Sequence, residues 1–159
     1  MPSGREAEAR ALLGRVPAWA SGRADLLAVA LVGSWARGAA REDSDVDLVL
    51  LTDDVAAYTD RDDWVPGLGG LGVAATRTWG ALTERRLVLP GGLEADVGIV
   101  PPSWARTDPV DPGTARVVRD GLEVLHDPAG QLARLLVAAG GEPAPRATPG
   151  AGLPRPTRP

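Results

Sequence analysis

The sequence predicts one α+β domain of α/β-like character, and three observations predict it. A continuous apolar run, LLAVALV at 26–32, has the length of a strand covered on both faces. Two later stretches also have strand character: 46–51, mostly apolar, and 93–100, where Glu94, Asp96 and Gly98 alternate with apolar residues. Capped helix starts stand before and after these runs. The chain has 159 residues, the size of one ordinary domain, and 44% of them are hydrophobic, enough for a real core. With five Trp, one Tyr and no Phe, that core has to be mainly aliphatic.

The elements follow in order. Ser3-Gly4-Arg5-Glu6 reads as a capping box. Leu12, Leu13, Val16 and Trp19 then share one helical face, Pro17 is placed to kink or shorten the helix, and Ser21-Gly22 ends it. The strand at 26–32 stops at Gly33-Ser34, and 35–40 reads as a short helix. The segment 53–63 is polar, helix or loop, and the glycine-rich 66–72 is expected to be a flexible loop. A third strand covers 73–79. Segments 83–89 and 93–100 form two strands joined through Pro90-Gly91-Gly92. Asp111-Pro112 and Asp127-Pro128 are matched helix starts, with Gly121 and Gly140 at the expected ends. The domain is therefore placed at 1–139, followed by a disordered Pro/Gly/Arg-rich tail at 140–159.

Composition excludes several classes of function. Cysteine is absent, which removes disulfides, zinc–thiolate sites and thiol nucleophiles. The net charge is −4, and the basic residues, all Arg, are spread along the chain, so nucleic acid is not expected as a partner. The first residues lack the apolar stretch of a signal peptide, and the longest apolar run is too short to span a bilayer. A soluble, cytoplasmic protein without a membrane partner is expected.

The chemistry concentrates in Leu31-Val32-Gly33-Ser34-Trp35-Ala36-Arg37-Gly38 and Ser44-Asp45-Val46-Asp47-Leu48. An apolar strand ends in Gly-Ser and enters a helix, whose first amides are free to bind phosphate. Gly33 lets backbone come close to a ligand, and Ser34 adds a hydroxyl donor. Asp45 and Asp47 project from one face of a strand, while Val46, Leu48 and Leu50 project from the other. Two carboxylates about 4 Å apart repel by roughly 4 kcal/mol at an effective dielectric near 20. A divalent cation relieves that repulsion, and oxygen-only ligands favour Mg²⁺ or Mn²⁺. Glu94 and Asp96 share a face of the 93–100 strand, and either meets Asp45 and Asp47 if the two strands are neighbours.

Gly33-Ser34 followed by Ser44-Asp45-Val46-Asp47-Leu48, with Ala36-Arg37-Gly38 between, resembles the Gly-Ser…Asp-x-Asp pattern of the DNA-polymerase-β-like nucleotidyltransferase superfamily. The likeness is greatest to small bacterial domains such as antibiotic adenylyltransferases and minimal nucleotidyltransferases. It runs from 26 to 100, and 114–136 is similar to the helical tail of stand-alone members.

The resemblance implies a mixed, twisted β-sheet flanked by helices. It implies transfer of a nucleoside monophosphate from ATP or another NTP to a hydroxyl, with pyrophosphate released. Gly33 and Ser34 would hold the triphosphate, and Asp45 and Asp47 both metals. Asp96, the acid followed by Val97-Gly98, would be the third catalytic carboxylate, on its own strand and sharing the catalytic metal.

Several residues keep two readings. Arg37 and Arg41 either contact phosphate or pair with nearby acids, and Ser44 is a turn residue or a nucleotide contact. Glu94 is a strand-edge acid, a competing ligand or a general base. One of Arg85 and Arg86 could neutralise phosphate, and the sequence does not say which faces the site. His126 reads as a structural surface residue, and Trp64, Trp79 and Trp104 read as packing residues or as platforms for a base. The acceptor is a small molecule or a protein side chain, with a homodimer or a partner protein completing its site. An antitoxin-type enzyme that modifies a toxin partner and a non-catalytic nucleotide-binding module are the rival functions.

Overall fold

The computed structural model describes residues 3–140. Its centre is a six-stranded sheet in the order β3-β4-β5-β2-β1-β6. The strands are β1 (Leu26–Val32), β2 (Val46–Thr52), β3 (Gly72–Trp79), β4 (Leu82–Val88), β5 (Glu94–Val100) and β6 (Leu122–His126). Only β2 and β5 run parallel; every other neighbouring pair is antiparallel. This is the mixed, polymerase-β-like sheet implied by the resemblance.

Strand alternation gives each face its own core. On one face Val29, Leu31, Val46, Leu48, Leu50, Val97 and Ile99 pack against Leu12 and Val16 of α1 (Gly4–Ser21), against Tyr58 of α3 (Ala56–Thr59) and against Trp64. On the other, Ala28, Ala30, Val49, Leu51 and Val100 meet Val118 of α4 (Pro112–Asp120) and Leu132 and Leu135 of α5 (Gln131–Ala138). The central strands β1 and β2 are covered on both sides, which is why β1 reads as an unbroken apolar run and β2 as one from Leu48 to Leu51. No helix among the described residues is long and apolar enough to cross a membrane.

Local chemistry explains where expectation and fold part. Ser3 Oγ accepts from the Glu6 amide at 3.1 Å, but the Glu6 carboxylate turns to Arg10 at 3.0 Å, so only half of the capping box forms. Pro17 stays inside α1, on its exposed side, and the helix runs on to Ser21. The expected helix at 35–40 is instead α2 (Gly33–Ala36), closed by Gly38 at φ 69°.

The glycine-rich 66–72 segment is not a loose loop. Leu68 is fully buried, and a Cβ on Gly67 would stand 2.7 Å from the Trp19 ring. The glycines there allow close packing. The stretch after Gly121 is a strand, β6, pairing with β1. Asp127-Pro128 does not open α5 directly, because Gly130 at φ 72° turns the chain first. The Asp127 carboxylate still caps the helix, accepting from the Leu132 and Ala133 amides at 3.2 and 2.9 Å. The segment taken as a tail, 140–159, lies outside the described residues except for Gly140.

Candidate functional site

The parallel register of β2 and β5 places Asp47 opposite Asp96. The buried Val46, Leu48 and Leu50 hold that register, because a slip of one residue would drive the acids into the core. Asp45 precedes β2 by one residue, its side chain 32% exposed, whereas that of Asp96 is 10% exposed.

Gly33, the first residue of α2, lies against Asp47. It has φ +73°, a conformation that favours glycine, and a Cβ there would collide with the Asp47 Oδ2 oxygen. The Gly-Ser turn and the Asp-x-Asp strand are therefore fitted to one another: the missing side chain of Gly33 is the space occupied by the Asp47 carboxylate.

Burial pushes Asp47 up to about 6, and the negative charges of Asp96, Asp45 and Glu84 push the same way, against the pull of Arg86. Asp45 is also raised, by burial and then by Asp96. Glu84, on the same face of β4 as Arg86, is raised by burial and then by Asp96. The site is short of positive charge around Asp47.

Around Asp96 it is not. Arg86 is the register partner of Asp96 across β4 and β5. Its Nε donates to Asp96 Oδ1 at 2.8 Å and its Nη2 to Oδ2 at 3.1 Å. Nη1 lies 3.1 Å from Glu94 Oε2, and Nη2 lies 3.6 Å from Asp45 Oδ2. One guanidinium thus stands among three carboxylates. Among the described residues, no three acidic, His or Cys side chains converge as a group that could hold a metal. A doubly charged ion about 4 Å from that guanidinium would be repelled by roughly 8 kcal/mol at an effective dielectric of 20.

Residues 21–76 match the nucleotidyltransferase domain family. That stretch is similar to nucleotidyltransferase domains of the polymerase-β-like superfamily. The chain has no match among curated proteins. The matched span contains Gly33, Ser34, Asp45 and Asp47, while Arg86, Glu94 and Asp96 come from outside it. The transferase reading therefore rests on the first half of the site, and the fold brings the second half to it.

The remaining sequence candidates of the nucleotidyltransferase domain separate by position. Arg37 donates from Nη1 to the Asp120 carbonyl at 3.1 Å, tying α2 to the end of α4. Ser44 Oγ accepts from the Arg41 amide at 2.7 Å and closes the turn before Asp45. Arg41, Ser44, Trp35, Arg10, Arg5 and Ser3 line a cleft of about 580 Å³ at the start of α1. Arg5, which sequence reasoning passed over, reaches Asp45 at 4.0 Å. The Arg5 Nε and the Trp35 indole N–H are buried without a hydrogen-bond partner among the described residues.

His126 pairs with Val29, well down β1 from Val32, the residue opposite Asp47, and takes no part in the site. Trp64 is fully buried and Trp104 nearly so, but Trp79, read as a packing residue, is 54% exposed at the end of β3. The fold also divides the arginine pair. Arg85 is buried and bound to the Tyr58 and Arg61 carbonyls and to Asp62, so Arg86 faces the acids.

Proposed function

We propose that the protein transfers a nucleoside monophosphate, most simply AMP from ATP, to a hydroxyl of a small molecule or a protein, releasing pyrophosphate. The observation that carries this reading is the pairing of Asp47 with Asp96 across β2 and β5, beside a Gly33 whose missing side chain makes room for the Asp47 carboxylate.

Asp45 and Asp47 suit a hard divalent ion. Both are oxygen donors, both are raised by burial and neighbouring negative charge, and both come from the segment that matches the family. Mg²⁺ or Mn²⁺ bound there would supply electrostatic stabilisation of the transferred phosphoryl group. In this reading Gly33 and Ser34 receive the donor phosphates on backbone amides and a hydroxyl. The Arg41-Ser44 turn and Arg5 border the cleft beside Asp45 and add positive charge next to that position. The acceptor hydroxyl reaches the acids from their exposed side, where Glu84 and Glu94 are available to receive its proton. An NTP donor suits a cytoplasmic setting.

The test is label transfer from α-labelled NTPs to small-molecule and protein acceptors, with magnesium or manganese present. Transfer is expected with the wild-type chain and is expected to be lost in Asp47→Asn. Nucleotide binding without transfer to any acceptor class would turn the reading to a binding module.

A further inference from the structure

The proposed reaction is ordinarily written with two ions shared by three carboxylates, but the three carboxylates here are not equivalent. Asp47 has no hydrogen bond or ion pair among the described residues, and burial, then the charges of Asp96 and Asp45, raise its carboxylate. Asp96, directly opposite, has both oxygens bonded to Arg86, at 2.8 and 3.1 Å. Paired N–H donors matched to both carboxylate oxygens make the strongest common form of this contact.

The arginine is also fixed from several directions. Antiparallel register sets it opposite Asp96, and a third nitrogen holds Glu94. The neighbouring Arg85 is anchored on the far side of the strand by two backbone carbonyls and Asp62. Reversing β4 to remove Arg86 from the acids would bury one charge and strip partners from another.

We propose that Arg86 is a built-in cation in place of the second ion. The domain then takes one divalent ion, on Asp45 and Asp47, and the guanidinium held by Asp96 and Glu94 supplies the other positive charge beside the transferred phosphoryl group. Asp96 in this scheme is a positioning residue, acting through Arg86. The guanidinium is pre-placed within 3.6 Å of Asp45, so the two positive centres flank the same carboxylate. Arginine suits this place because it stays charged at any physiological pH and offers several donors in a fixed fork. The inference rests on the nucleotidyl-transfer reading and refines it.

The experiment counts ions independently of turnover. Full-length protein is saturated with an ATP analogue carrying a methylene bridge between the α and β phosphorus atoms. Bound Mn²⁺ is then titrated by electron paramagnetic resonance. The wild type is expected to hold a single Mn²⁺ per chain, as is Arg86→Lys, which keeps the charge. Arg86→Ala and Arg86→Gln are expected to gain a second, weaker Mn²⁺ at the freed Asp96, with circular dichroism confirming that each variant is folded.

In turnover, Arg86→Ala is expected to fall at least about 100-fold at low Mn²⁺ and to recover in part as Mn²⁺ is raised. Two Mn²⁺ per wild-type chain would overturn the proposal and leave nucleotidyl transfer standing. So would variants that keep a single ion and wild-type turnover. No bound Mn²⁺ and no transfer by the wild type would overturn both, which separates the two failures.

Discussion

Replacing Gly33 with Ala adds one methyl group at a point where two demands meet. The residue holds φ +73°, and a Cβ there collides with the Asp47 carboxylate. Left-handed backbone costs a non-glycine residue about 1–2 kcal/mol. Turning Asp47 out of its rotamer to clear the methyl adds about 1 kcal/mol. The expected loss is therefore about 2–3 kcal/mol, which lowers Tm by roughly 5–10 °C for a domain of this size.

Because the shift occurs at Asp47, activity is expected to fall about 100-fold, the usual consequence of an ångström of misplacement. The assay is a double-mutant cycle with Asp47→Ala, followed by urea denaturation, with pyrophosphate release measured on Gly33→Ala. In the Asp47→Ala background only the backbone term remains, so the two substitutions should couple by about 1 kcal/mol. A Gly33→Ala protein as stable as wild type, or a cycle that closes with zero coupling, would refute the fitted-space argument.

Asp47→Asn is expected to stabilise the protein in EDTA at pH 7.5. Folded Asp47 holds its proton up to about 6 instead of 3.8, so the native state loses stability as pH rises through that window and carries the full penalty above it. Allowing for partial exposure, the gain is about 1–2 kcal/mol, and it should vanish below about pH 4, where both forms are neutral. Thermal melts at the two pH values check it. Tyr58, which donates to Asp25 at 2.6 Å and accepts from Arg23 at 2.8 Å, is pushed up to about 12, by burial and then by Asp25. The native state keeps that proton above pH 10, where the unfolded chain releases it, so stability should fall by about 2 kcal/mol as pH rises from about 10 to 12. Tyr58→Phe should flatten that limb in alkaline denaturation while costing about 1 kcal/mol at neutral pH. Asp127→Ala frees the Leu132 and Ala133 amides and should cost about 1 kcal/mol, seen as a lower urea midpoint with activity unchanged.

The parts of the fold readable in the sequence are those where one periodic signal dominates. The run at 26–32 coincides with β1, and the alternation around Asp45–Asp47 and Glu94–Asp96 placed both acidic strands. Asp111 caps α4 through the Thr114 amide at 3.1 Å, as its position before Pro112 suggested. What was missed depends on partners distant in sequence. β6 is a short edge strand whose strand character comes from pairing with β1, and periodicity over five residues says little. The glycines at 67 and 70 read as flexibility because Trp19 and Val65, which they pack against, cannot be inferred locally. At the site, the four acids could be named from strand alternation alone. The role of Arg86 could not, since it requires the hairpin register that sets it opposite Asp96. Glu84 carried the same signal, two residues away on the same strand face, and would have followed from that register.

Adjacent arginines with opposite destinations have an uncomfortable corollary for folding. If β4 paired one position out of step, one arginine would take the place of the other, so a guanidinium would still reach either the acids or the buried carbonyls. Those two side chains therefore say little about alignment, and the discrimination has to come from elsewhere. Leu87, wholly buried between them and the turn, supplies part of it. The rest falls to Glu8 of the first helix, whose carboxylate grips the Gly91 and Leu93 amides at 2.8 and 3.1 Å and so fixes where the hairpin reverses. A carboxylate on the first helix thereby helps to tell the chain which arginine goes to work.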